Sequence, residues 1–147
     1  MGYASESPGL PVNVAVAFDA FTEPVRAQLL EVRKLIFTMA AETAGVGPLT
    51  ETLKWGEPAY VTEATGSGST VRLGQLISRV GMGAVLFNCR TTLVATFRTQ
   101  FPQTFHYHGN RAIVLDPSTP LVVEPMAICL AMSFTYRSRQ RRTENCL

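Results

Sequence analysis

The chain has 147 residues, 46% apolar and 16% charged, which suits one domain able to bury roughly two thirds of its unfolded surface and excludes a disordered chain. A net charge of +2 is too slight to imply a polyanion partner, so nucleic acid is not expected. Three cysteines, an odd number, make no disulfide framework and are read as reduced thiols in a cytoplasmic setting.

Met1 to Pro11 has neither a basic nor an apolar signal region, and residues 1–13 are expected to be a flexible lead. Val12 to Phe21 is apolar around Asp19 and fits either a short helix or an extended segment, of which the helix is preferred. Thr22, Glu23 and Pro24 are start signals for a long amphipathic helix, because Pro in the first turn costs no intrahelical donor and an acid suits the positive helix end. Its stripe is Val25, Leu29, Val32, Ile36 and Met39, and Gly45, Gly47 and Pro48 end it.

Pro58 to Thr62 and Thr70 to Ser78 are read as strands joined by the Gly/Ser-rich Thr65 to Ser69, with Val71, Leu73 and Ile77 on one face. Ala84 to Phe87 is a continuous apolar run suited to a central strand covered on both faces. Thr91 or Thr92 opens a short helix with Leu93, Val94, Phe97 and Phe101 inward, and Pro102 stops it. His106 to His108 and Arg111 to Leu115 form short strands about Gly109-Asn110. A last helix starts near Pro125, turns Met126, Cys129, Leu130 and Phe134 inward, and finishes in Arg137 to Arg142. The apolar stretch Leu121 to Tyr136 holds Glu124 and Pro125 and falls short of the roughly 20 residues of a membrane span, so no membrane contact is expected. The order favours an α+β fold, an antiparallel sheet of about five strands against helices, with residues 14–139 as one domain and 140–147 as a basic tail.

Four groups of residues could carry chemistry. In Lys54 followed by Trp55 to Tyr60, Gly56 permits a tight turn, and two aromatics could wall a pocket with Glu57 at its mouth or plug the end of the sheet. Cys89, just before a helix start, is either a reactive thiol or an inert buried one; a nucleophile there would need a base, and the histidines are far along the chain. His106 and His108, two apart on a strand, share a face and could begin a metal site, or simply sit on an exposed face. The Arg137, Arg139, Arg141 and Arg142 cluster could touch phosphate or stabilise a helix carboxyl end. No glycine-rich phosphate loop and no Gly-x-Ser-x-Gly elbow is present.

Lys54-Trp55-Gly56 with Pro58 and Tyr60, Phe87-Asn88-Cys89, Leu93 with Phe97-Arg98, and Asn110-Arg111-Ala112-Ile113 together resemble the YdhG-like bacterial domains of unknown function, over roughly Val14 to Arg139. That resemblance implies a frataxin-like architecture and a non-catalytic metal-handling or binding role, with iron as one candidate ligand. The expected pocket gathers Lys54, Trp55, Glu57, Tyr60, Asn88, Cys89, Asn110 and Arg111, for a small ligand or a protein partner, and a homodimer is compatible with it. A thiol enzyme using Cys89 and a protein-interaction module are the alternatives. From Asp19 to Glu42 the four acids Asp19, Glu23, Glu31 and Glu42 face the three bases Arg26, Arg33 and Lys34, a net charge of minus one, so this stretch lacks the crowded carboxylates that hard cations prefer.

Overall fold

Eleven elements follow one another in the computed structural model, which describes residues 7–146; residues 1–6 of the expected flexible lead lie outside the described residues, and its last two, Val12 and Asn13, already belong to a helix. Helix α1, Val12–Asp19, settles the ambiguous first segment and buries Val14 and Phe18. Helix α2, Glu23–Glu42, has Pro24 in its first turn, where it displaces no bond, while the Thr22 carbonyl accepts the Arg26 amide. Val25, Leu29, Val32 and Ile36 are buried, as their spacing predicts.

Six strands form one sheet in the order β1-β2-β3-β4-β6-β5, antiparallel at every junction. They are β1 (Thr50–Lys54), β2 (Glu57–Val61), β3 (Val71–Gly74), β4 (Gly83–Phe87), β5 (His106–His108) and β6 (Ala112–Leu115). Helix α3 spans Leu93–Gln100, α4 Val123–Phe134 and α5 Tyr136–Cys146. The architecture is α+β, and no described helix is long and apolar enough to cross a membrane.

The helices pack on one face of the sheet. Tyr60, Val71, Leu73, Val85, Phe87, Ile113 and Leu115 meet Phe18, Leu29, Ile36, Phe97, Met126, Leu130 and Phe134 there. The outer face carries a smaller apolar patch, Ala84, Leu86, Ala112 and Val114, covered by Leu76 and Met82 of the β3–β4 connection. β4 is therefore buried along its whole length, as a central strand with two covered faces must be.

Three local expectations are corrected. β1 was not anticipated, because its inward residues are Glu51 and Leu53, and a hydrophobic pattern does not register a carboxylate. β3 ends at Gly74 rather than Ser78; the chain then leaves the sheet, so Leu76 covers the outer face while Ile77 is 100% exposed. The last helix is two helices broken at Thr135. A long-range contact diverts the helical bonds at the break. The Ser67 hydroxyl donates to the Phe134 carbonyl (2.7 Å), the Ser69 amide to the Ser133 carbonyl (2.8 Å), and the Ser138 amide to the Ser67 carbonyl (2.9 Å). Gly68 is required between them, since a Cβ there would lie 2.4 Å from the Phe134 backbone.

Glu51 anchors the first hairpin to α2. Arg33 Nε and one terminal nitrogen grip its two carboxylate oxygens at 2.6 and 2.8 Å, and the Tyr60 hydroxyl donates to one of those oxygens at 2.8 Å. The same guanidinium donates to the Pro8 carbonyl (2.8 Å) and lies 4.9 Å from the Phe37 ring centre. Burial, then the Glu51 carboxylate, pushes the Tyr60 phenol well above its ordinary range; the bond to Glu51 raises Arg33 as well. Removing one partner of a buried pair leaves the other charge uncompensated. Glu51→Ala should therefore cost about 3–5 kcal/mol and Tyr60→Phe about 1.5–3 kcal/mol in denaturant unfolding; a Glu51→Ala loss below about 1 kcal/mol would show that water reaches the site.

Candidate functional site

The β1–β2 connection is a two-residue loop, with Lys54 paired to Glu57 and Trp55 and Gly56 between them. Trp55 has φ 56° and Gly56 φ 76°, the pattern of a type I′ turn, which matches strand twist but suits Asn, Asp or Gly at its first position. Trp55 is the only non-glycine residue with positive φ among those described, and its side chain is 91% exposed. It does not plug the sheet.

Lys54 and Trp55 form part of a recess of about 540 Å³, completed by Thr70, Arg72, Phe87, Asn88, Cys89, Arg90 and Arg111. The volume falls within the range of roughly 300–1,000 Å³ usual for small-molecule sites. Each contributor is held locally. Arg72 lies opposite Ala59 and Leu86 in the sheet register, on the outer face. Asn88 shapes the chain after β4: its Oδ1 accepts the Arg90 amide (2.9 Å), and its carbonyl accepts the Thr91 hydroxyl (2.7 Å). The Phe87 amide bonds the Arg111 carbonyl (2.7 Å), which fixes the entry to β6 against the exit of β4.

Of the residues expected to form the pocket, the fold brings together Lys54, Trp55, Asn88, Cys89 and Arg111. Glu57 stands beside them, paired to Arg72 at 2.8 Å, with its carboxylate laid over Gly74, where a Cβ would collide with it. Asn110 is turned to the Cys89 carbonyl, donating at 2.9 Å, and braces the rim. Tyr60 is on the opposite, helix-facing side, so Trp55 and Tyr60 do not wall one pocket. Sequence reasoning missed Arg72 and Arg90; the alternation of Val71, Arg72 and Leu73, with Arg72 turned outward, was the available signal for the first.

His106 is exposed and His108 half-buried on edge strand β5, and neither lines the recess. Among the described residues, no group of three His, Cys, Asp or Glu side chains is placed to hold a metal ion. Cys89 is exposed, whereas Cys129 is buried and its thiol is pushed up to about 12 by desolvation. Arg139 donates to the Met132 carbonyl (2.6 Å) at the carboxyl end of α4, so this member of the basic cluster has a structural partner. A larger recess of about 670 Å³, beside the end of α2, is lined by Pro8, Phe37, Ala40, Pro48 and Leu49 among others, with no charged side chain. No family model, curated protein or solved structure matches the chain.

Two predictions follow from the hairpin and its neighbour. A bulky residue held in the left-handed region costs of order 1 kcal/mol, so Trp55→Asn should raise unfolding stability by about that amount, read by thermal melting. An unchanged or lower melting point would mean the turn is not strained. Burial raises the Glu57 pKa, with Arg72 and then Arg111 opposing it. The folded protein therefore binds this proton more tightly than the unfolded chain, and the contribution to stability, full below the ordinary carboxylate value, declines as pH rises through the raised one. The difference in stability between wild type and Glu57→Gln should change across that window and be flat at higher pH.

Proposed function

We propose that this chain is a non-catalytic binding domain whose recess takes a small ligand bearing an anionic group. The observation that carries the reading is the convergence of Lys54, Arg72, Arg90 and Arg111 on one concavity. Among the described residues only Arg72 of these four has a carboxylate partner, Glu57. Cations lining one concavity reinforce one another's field, and guanidinium groups donate paired hydrogen bonds to carboxylate, sulfate or phosphate oxygens. Asn88 adds a neutral donor beside them.

The same lining disfavours iron, a hard cation that seeks carboxylate oxygens. Kinship with the YdhG-like domains belongs to this proposal and rests on the sequence resemblance, with which the antiparallel α+β architecture is compatible; an iron-handling role is not carried over. A thiol enzyme is the second reading, favoured by the exposed Cys89 in the recess. Its weakness is the want of a free companion: no His belongs to the lining, and the neighbouring carboxylate, Glu57, is committed to Arg72 at 2.8 Å.

Sulfate, which keeps its charge across the working pH range, is the direct probe. Titration calorimetry should show saturable binding, weakened about tenfold or more in the double variant Arg90→Gln/Arg111→Gln, with melting behaviour retained. Bound sulfate should also slow alkylation of Cys89, followed by mass spectrometry of the peptide containing it. Sulfate binding that is absent, or indifferent to the double substitution, would overturn the proposal.

A further inference from the structure

The recess is bordered by a feature that anion binding alone does not require. Trp55 is the one exposed aromatic side chain among the described residues, at 91% exposure, and it adjoins the four cations. Two features of the turn oppose this placement. The first position of a type I′ turn is served best by Asn, Asp or Gly, and an indole in water forfeits the burial that makes tryptophan favourable. Lys54 and Glu57, which flank it, form the closing pair of the hairpin, so the indole springs from a two-residue tip rather than from a long loop. An indole so placed beside a cationic cavity is suited to stacking a flat ring whose charged substituent enters that cavity.

Resting on the anion reading above, we propose that the ligand is a nucleoside 5′-phosphate, or an anion of the same build, with its ring stacked on Trp55 and its phosphate among Lys54, Arg72, Arg90 and Arg111. Asn88 supports this arrangement. Its Oδ1 is committed to the Arg90 amide, which leaves Nδ2 to donate to the ligand. The dimensions favour a free nucleotide over a strand: one ring and one recess of about 540 Å³ accommodate one base and one phosphate. Single-stranded nucleic acid is read along a basic track with successive aromatics, whereas here the exposed aromatic is single among the described residues and the net charge of the chain only +2.

The chain contains one tryptophan, so its emission reports on this ring alone. Titration of the full chain with adenosine 5′-monophosphate should quench that emission and give an affinity about tenfold or more above that of ribose 5-phosphate. Trp55→Asn, which suits the turn and lacks the ring, should bring the two ligands to equal affinity by calorimetry, and Trp55→Phe should restore part of the difference. Equal affinities in the wild type with unchanged emission would overturn the stacking proposal while sulfate binding still upheld the anion site. Loss of sulfate binding as well would overturn both. Affinity for oligothymidylate that rises with length and exceeds that of the mononucleotide would overturn the free nucleotide in favour of a strand.

Discussion

A buried carboxylate between an arginine and a tyrosine governs the geometry of the first half of the molecule. Glu51 belongs to an edge strand that offers the core little apolar surface beyond Leu53; its grip on Arg33 and Tyr60 adds a polar tie to the hairpin bonds of β1. The pair is tolerated because both carboxylate oxygens and the guanidinium are satisfied, down to the Pro8 carbonyl. Tyr60 also packs edge-on against Phe37, so the network is closed on its apolar side. Through it the hairpin keeps a fixed attitude to α2, and the direction in which Trp55 projects is set from beneath.

The two faces of the sheet divide the labour. The helix-facing side takes the long apolar residues and supplies stability, while the outer side has a short apolar strip and then gives way to charge. Arg72 and Glu57 mark that transition, and Gly74 provides the space in which the Glu57 carboxylate lies. With Arg72 paired and Lys54, Arg90 and Arg111 without carboxylate partners among the described residues, the recess is electropositive on a chain whose overall charge is slight.

Legibility in the sequence followed the range of the cause. The α2 stripe and the apolar run of β4 are local signals, and both elements formed where they were expected. Pattern reading failed where a distant partner decides: β1 turns a carboxylate inward to meet a helix already passed, and the break at Thr135 is made by Ser67 far upstream. The β3 exit was misjudged for a related reason, since strand alternation nominates Ile77, whereas the turn after Gly74 selects Leu76. Within the candidate site, the hairpin and Asn88-Cys89 stood out by composition. Arg72 and Arg90, ordinary surface cations in one dimension, acquire meaning once β3 and β4 lie side by side.

The clasp between Ser67-Gly68-Ser69 and the joint of α4 and α5 has a consequence for biosynthesis. Sixty-seven positions separate Ser67 from Phe134, and the Gln28 amide reaches a comparable distance to the Asp116 and Thr119 carbonyls. A nascent chain can coil α2 and zip its first hairpin early, and Thr62 can brace Gly68 within the β2–β3 connection, but the bonds from Ser67 and Ser69 to the joint wait until the joint has left the ribosomal tunnel. Until then the part of the inner face that Met126, Leu130 and Phe134 cover is left bare, while Phe18, Leu29 and Ile36, made first, are already available to cover the rest.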